Sequence, residues 1–507
     1  MRIIRLSGAS VSPLMTEKWP VRFWIPSMDS ENIFLTGEEI VAATGGYLLA
    51  GAISTFFGIS TDTREELTGK LFIPLRGKRF DGHNFLGEAL KKGAVGVLVA
   101  RGKEFAINTL ETRCTVIVVE DTLKALGDIA RYWRQKKGVK VVAVTGSAGK
   151  TTTKEMIAAI LSQQVSVLKT EGNMNNLVGL PLTLLRLTGK HDMAVLEMGT
   201  NRPGEIRELC RICEPDVGII TNIGPAHLEG FGTIDSIREE KGEIYKNLPP
   251  NGTAVINEDD ENVKVAALKW KGKKVTFGLS KEAWITVSNI RYEKEEIVFD
   301  LYVGREKVKT KLNATGRHNV MNALAAAAVA YALGVDRKTI AQGLGKFSPL
   351  TGRFQIHHLA NDIYLIDDTY NANPLSVREA LVNLKNLRGK HRGFVVFGDM
   401  LELGKEAQHF HRGIGEMVGE TGVCALFVKG CFAEDIARGA KRAGLGEKQI
   451  FFFSQPKEVV EILFPLLNPG DWVLVKGSRA MEMERVVHEL MAEFGKSFSL
   501  EKSAGRR

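Results

Sequence analysis

The run Thr145-Gly146-Ser147-Ala148-Gly149-Lys150-Thr151-Thr152 combines the residue types needed to grip a triphosphate. Glycines let backbone N–H groups approach phosphate oxygens, and a helix starting behind them adds the positive end of its dipole. In that arrangement Lys150 would reach the β- and γ-phosphates, and the Thr151 hydroxyl would sit on Mg²⁺. The loop is shorter than the general phosphate-binding pattern, because Val144 stands where a glycine is expected five residues before Gly149. A glycine-rich turn with an exposed lysine would use the same residues. The order of the elements favours the nucleotide: the apolar strand KVVAVTG precedes the turn and the helical pattern KTTTKEMIAAILSQQ follows it.

Phosphoryl transfer needs cations against the γ-phosphate, so carboxylates should lie at neighbouring strand ends. Glu197 closes the strand MAVLE and fits a metal role, although a glutamate capping the next turn would look the same. His227 follows the strand IITNIG within GPAHLEGFG, with Glu229 as a neighbour; taken alone it reads equally well as a satisfied surface or core histidine. Lys241, in REEKGEIY, alone reads as a solvated helix residue.

The elements that must position these groups fall into three stretches. Residues 28–136 form a small α/β unit in which strands such as KLFIPL and GAVGVLV alternate with the helical HNFLGEALKKG. Thr36, with Glu39 three residues later, predicts a capping box at its first helix. Residues 137–348 carry the phosphate loop and the buried runs DMAVLEMG, DVGIITNIG and GTAVINED, which predict a doubly wound, mostly parallel sheet. The alternating segment ITVSNIRYEKEEIVFDLYVGREKVKTKL predicts antiparallel strands, and an Ala-rich helix over 319–333 is closed by Gly334. Residues 349–507 form a Rossmann-like α/β unit with strands IYLIDD, GFVVFGDM, ALFVKG, QIFFFS and DWVLVKG. Most of these end in Asp or Gly, where open α/β sheets place ligands.

With 507 residues the chain exceeds one hydrophobic core, and 44% apolar with 25% charged residues is an ordinary globular balance. The net charge of +9 is spread along the chain, which suits acidic small substrates. No basic run interleaved with aromatics supports nucleic-acid binding. The five cysteines set no disulfide framework, and Cys210 and Cys213 lie in a helical pattern that favours a structural role over metal. A reducing, cytoplasmic setting fits, and no apolar stretch is long enough to span a bilayer. Residues 1–27 lack a signal-peptide core and are expected to be a disordered extension or a start-site artefact ahead of Met28.

Taken together, TGSAGKTTT, LEMGTNRPGEI, TNIGPAHLEGFG, EEKGEIY, GRHNVMNALAA, LTGRFQ, DDTYNANP, GDMLELG and VKGSRAMEME resemble the Mur ligases in the family's order. STDTR, GKLFIPLRG and DGHNF extend the resemblance over nearly all of the chain from Met28 to about Val487. DDTYNANP with GDMLELG resembles the branch that adds D-alanyl-D-alanine, and no DNPR segment marks the preceding branch. The resemblance implies an ATP- and Mg²⁺-dependent amide ligase, expected to be a monomer, acting on UDP-N-acetylmuramoyl-tripeptide and D-alanyl-D-alanine. It implies that Lys150 and Thr151 bind ATP and Mg²⁺, that Glu197 and His227 belong to the metal site, and that Lys241 is the carbamylated lysine. His318, Asn319 and Asn322 would serve the nucleotide base, although helix capping explains Asn319 equally well. Arg353 and Asp368 would contact ATP phosphate and ribose. Tyr370, Asn371, Asn373, Asp399 and Glu402 would line the dipeptide or closure cleft. Asp62, Thr63 and Arg64 would meet the uridine diphosphate, and Asn175 and Asn176 the muramoyl side. His411 is expected to be structural. Other Mur-type or folylpolyglutamate-type ligases, and a P-loop nucleotide switch that ligates nothing, are the rival readings.

Overall fold

Fully apolar runs of β-branched residues suit strands buried on both faces, and they form the centres of three sheets here. The computed structural model describes residues 34–52, 54–77, 79–104, 114–293 and 296–504, with side chains described to residue 495. The expectation for residues 1–27 lies outside them. The first sheet runs Tyr47–Ala50, Thr115–Val119, Gly96–Ala100, Leu71–Phe72, Ile59–Ser60, parallel except for its first strand. Thr36 caps the helix Gly37–Thr44 with the reciprocal Glu39 bond, as its spacing predicts.

The second sheet has nine strands. Lys140–Thr145 lies third from one edge, with Met193–Glu197 on one side and Val217–Ile220 on the other, all parallel. The chain thus reverses its direction of winding at the end of Lys140–Thr145, where crossovers leave a crevice. Thr253–Asn257 and Lys273–Phe277 extend the sheet, and the antiparallel strands Ile285–Glu293, Glu296–Val303 and Glu306–Leu312 finish it. The Ala-rich helix covers Arg317–Ala332, starting two residues before the predicted 319. It packs on the helix Lys150–Leu161. Its alanines 323, 325–328 and 330 are buried, so it is apolar nearly all round, as a helix inside a core must be.

The third sheet runs Gln355–Leu359, Ile363–Asp368, Trp472–Lys476, Gly393–Gly398, Ala425–Lys429, Ile450–Phe452. Only the first pairing is antiparallel. Inserting Trp472–Lys476 between the strands that end at Asp368 and Gly398 gathers three strand ends on one side.

The first two units share a core. A single cluster of buried side chains runs from Leu35 through Leu126 and Trp133 to Leu184, Leu209 and Ala267. Helix Thr122–Lys137 lies within it, and Trp133 donates its Nε1–H to the Leu187 carbonyl at 3.0 Å. Cys210 and Cys213 sit in this core on helix Glu205–Cys213, and burial pushes both thiols up.

Candidate active site

The turn after Lys140–Thr145 is held by the segment that follows Val217–Ile220. Asn222 accepts the Ala148 N–H at 2.9 Å through its side chain and the Ser147 N–H at 3.0 Å through its backbone. Thr221 Oγ1 donates to the Ala148 carbonyl at 2.6 Å, and Ser147 Oγ donates to the Gly224 carbonyl at 2.9 Å. Gly149 is left-handed (φ +79), and a Cβ there would stand 2.4 Å from Asn322 Oδ1. Helix Lys150–Leu161 begins immediately, with no side chain capping its N-terminus. Its first-turn N–H groups are therefore left for an anion.

That terminus opens on a cavity of about 1030 Å³ between the second and third sheets. Of the residues expected in the site, it brings together 147–152, Asn175, Asn176, Glu197, His227, His318, Asn322, Arg353, Asp368, Tyr370, Asn371 and Asn373. Gly146 and Lys241 lie just beneath its floor. The Lys150 ammonium donates to the Gly146 carbonyl at 2.8 Å, and the Lys241 ammonium donates to the same oxygen at 3.1 Å. Burial pushes the pKa of both lysines down; their mutual repulsion lowers Lys241 further, and Arg353 adds to the effect on Lys150. Two amines sharing one carbonyl in a buried place disfavour charge on both at once, and Lys241 is the more strongly depressed.

Glu197, buried at the end of its strand, accepts from Asn175 Nδ2 at 2.9 Å, while its Oε2 is buried without a partner. An unpartnered carboxylate oxygen in such a place is costly unless a cation meets it. Asn176 lines the cavity, but its Oδ1 accepts the N–H groups of Val178 and Gly179 and so shapes the next helix. Among the described residues no three His, Cys, Asp or Glu side chains are grouped to hold a metal.

The third sheet supplies the opposite wall. Arg353 donates to Thr151 Oγ1 at 2.8 Å and its guanidinium stacks 3.8 Å over the Tyr370 ring. Asp368 accepts the Phe354 N–H at 3.1 Å and the buried Lys476 ammonium at 2.6 Å. Lys476 also donates to the Asn371 carbonyl at 2.9 Å. Asn373 caps helix Pro374–Arg388 and donates to the Ser147 carbonyl at 3.2 Å, tying this wall to the phosphate turn.

His318 stands beside Asn383, whose Oδ1 accepts the Arg317 N–H at 3.2 Å. The amide nitrogen of Asn383 therefore donates to His318 Nδ1 at 2.7 Å, leaving Nε2–H as the ring's donor. Burial holds this imidazole down at about 4, opposed by Asp368 and reinforced by Lys476, so it is neutral near pH 7.

Several of the expected residues make other contacts in this structure. Asp399 does not face the cavity: it is buried, accepting the N–H groups of Cys431 at 2.6 Å and Phe432 at 3.2 Å. Glu402 does not line the cavity either; its carboxylate meets His227 Nδ1. Asn319 holds the helix start by donating to the Thr315 carbonyl at 2.7 Å, and faces a separate cavity of about 210 Å³. Asp62, Thr63 and Arg64 follow Ile59–Ser60 in the first unit, outside the main cavity. There Arg64 closes on Asp62 at 2.6 Å, which brings that carboxyl down to about 2. The Thr151 hydroxyl, expected on a metal, is engaged by Arg353.

His411 is structural as expected: buried, it accepts the Met400 N–H through Nε2 at 2.9 Å and meets the Ala407 carbonyl through Nδ1 at 2.6 Å. Sequence reasoning passed over Asn222 and Lys476. Both lie in quoted motifs, directly after or at the end of buried strands, which was the available signal.

Three stretches match families described as "Mur ligase family, catalytic domain" (residues 55–134), "Mur ligase middle domain" (144–330) and "Mur ligase, glutamate ligase domain" (352–479). The chain is similar to UDP-N-acetylmuramoyl-tripeptide--D-alanyl-D-alanine ligase of Escherichia coli, 38% identical over 450 residues, covering 87% of this chain and 95% of that one. The Synechocystis enzyme of the same name is 39% identical over 437 residues, covering 86% and 92%. Among solved structures, MurF from Acinetobacter baumannii superposes with a TM-score of 0.83 at 34% identity, covering 91% of this chain and 100% of that one. MurF ligase from Thermotoga maritima in complex with ADP gives a TM-score of 0.77 at 32% identity, covering 87% and 98%.

Proposed function

The chain belongs to the Mur ligase family, and we infer from that membership and from the cleft that it is an ATP-dependent ligase of peptidoglycan synthesis. It joins D-alanyl-D-alanine to UDP-N-acetylmuramoyl-tripeptide by a new carbon–nitrogen bond. The observation that carries this reading is the uncapped helix terminus at Lys150, opening onto a floor of two lysines and a wall supplied by the DDTYNANP loop.

In the reaction we propose, the terminal carboxylate of the tripeptide attacks the γ-phosphorus of ATP. The bond to the β-phosphate oxygen breaks, leaving ADP and an acyl phosphate. The free amine of the dipeptide then attacks the acyl carbon, the carbon–oxygen bond to phosphate breaks, and the amine gives up a proton. Lys150, the first-turn N–H groups and Arg353 stabilise the charge that develops on the transferred group. Neutral His318 offers an Nε2–H donor to the nucleotide, with Asn322 and Asn319 shaping that end and Asp368 taking the ribose. Tyr370, Asn371 and Asn373 form the dipeptide wall, Asn175 and Asn176 the muramoyl side, and Asp62, Thr63 and Arg64 the uridine diphosphate contact. We divide the chain for these tasks at 28–136, 137–348 and 349–507, acting as a monomer in the cytoplasm.

Mg²⁺ fits the unpartnered Glu197 oxygen, with His227 and Thr151 alongside once Arg353 releases the hydroxyl. When bound it neutralises charge on the phosphoryl group. Lys241 would supply a further anion there as a carbamate. Its burial favours the neutral amine, the form that adds to CO₂ with loss of one proton to give a carbamate.

The test is release of phosphate from ATP in the presence of UDP-N-acetylmuramoyl-tripeptide, with and without D-alanyl-D-alanine. Release should require both substrates, and release indifferent to the dipeptide would overturn the reading.

A further inference from the structure

Two residues held in the left-handed region meet at one point between the second and third units: His227 (φ 55) and Glu402 (φ 64). Non-glycine residues are disfavoured there, so both loops bend against local preference at a shared contact. His227 precedes the short helix Leu228–Phe231, and Glu402 lies beyond the strand Gly393–Gly398. The Glu402 carboxylate meets His227 Nδ1, and the Glu229 N–H donates to the Glu402 carbonyl at 3.1 Å. A glutamate carboxylate offers only acceptor oxygens to the ring nitrogen it meets. Nδ1 therefore carries the ring proton. Among the described residues Glu402 is the ring's sole side-chain partner, and Nε2 makes no hydrogen bond. His227 lines the same cleft as the unpartnered oxygen of Glu197.

An imidazole that is to meet a cation must present a bare nitrogen, and a carboxylate on the opposite nitrogen fixes both the tautomer and the ring's direction. We propose that Glu402 is a positioning residue that aims the His227 Nε2 lone pair into the cleft from the neighbouring unit. Because the carboxylate comes from the third unit, the cation site is complete only while the two units touch. The proposal rests on the metal-assisted ligase reading above, and gives Glu402 a role other than touching the dipeptide.

The full chain labelled with ¹⁵N-histidine, His227 being assigned by H227A, reads the ring without metal or nucleotide. At about pH 8, above the usual imidazole range, the wild-type ring should be protonated on Nδ1 and bare at Nε2. Glu402→Ala should mix the tautomers, and Glu402→Gln, whose amide oxygen still accepts, should restore the pattern. Mn²⁺ binding in the presence of ADP, followed by electron paramagnetic resonance, should weaken about 10- to 100-fold in Glu402→Ala. It should weaken far less in Glu402→Gln, and Glu402→Ala should have no further effect in the H227A background. A wild-type ring protonated at Nε2 and bare at Nδ1, or additive losses in the double variant, would overturn the proposal. A wild type that binds no Mn²⁺ beside ADP would instead sink the metal reading, while the ring spectra still decide the positioning role.

Discussion

Replacing Lys476 by methionine keeps the length of the side chain and removes its charge, which isolates one interaction. Lys476 is 1% exposed, and its ammonium is the charged partner of Asp368 at 2.6 Å and a donor to the Asn371 carbonyl at 2.9 Å. The two residues are direct partners across parallel strands, so the bond fixes the start of the DDTYNANP loop to the sheet. Stranding one member of a buried ion pair costs about 3–5 kcal/mol. The Asp368 side chain is 14% exposed and keeps the Phe354 N–H, which puts the expected loss at the lower end, about 3 kcal/mol. For a unit of this size that is a fall in melting temperature of roughly 6–12 °C. Calorimetry of K476M should show this loss in the transition of the third unit, and the ATP KM should rise more than kcat falls. Adding D368N removes the stranded charge and should recover at least half of the melting temperature. A K476M transition within about 2 °C of wild type, or no recovery in the double variant, would refute the argument.

Asn222→Ala removes both side-chain bonds to Ala148, so ADP affinity measured by titration calorimetry should fall about tenfold at a stability cost of roughly 1–3 kcal/mol. Gly149→Ala combines a left-handed backbone with a Cβ 2.4 Å from Asn322 Oδ1. It should cost about 2–4 kcal/mol and abolish the thermal shift produced by ADP; a preserved shift would contradict the tight cradle. His318 is held at about 4, below its ordinary 6.5, so folding favours the neutral ring. Its contribution is complete above pH 6.5 and is lost as pH falls toward 4, by about 2–3 kcal/mol. Urea midpoints of wild type and His318→Asn should converge over that interval, and parallel curves would refute the assignment. Lys241 should give a carbamate signal with ¹³C-bicarbonate that is absent from Lys241→Ala; a spectrum identical in both would exclude the adduct.

The phosphate turn was legible because its neighbours are extreme: a strand with no polar position but its ends, then a helix beginning at Lys150. The five parallel strands of the third unit were legible for the same reason, whereas the antiparallel edge strand Gln355–Leu359 was not. Short strands such as the edge strand Val167–Lys169 and the internal Lys273–Phe277 were not, since three to five residues with lysines carry little pattern. At the site, residue types were readable but partners were not. Asp399 directly follows its strand as a ligand-binding Asp would, yet its carboxylate is consumed by two N–H groups more than thirty positions on. Lys476 reaches a carboxylate 108 positions away, and Glu402 a histidine 175 away. No periodicity or spacing rule reports such distances, because tertiary packing alone sets them.

Helix Thr122–Lys137 is shared property of the first two units, and this has a consequence for how the chain comes apart. Its Trp133 bonds to Leu187, Arg134 donates to the Glu214 carbonyl at 2.8 Å, and its Asp128 accepts from Arg211 at 2.6 Å. A protease offered the native protein should therefore find no clean seam near residue 138. Limited digestion should release two fragments, parted in the exposed stretch near 348–351, rather than three. The first unit, expressed without that helix's neighbours, would carry an uncovered apolar stripe and should aggregate, whereas the third could be prepared alone.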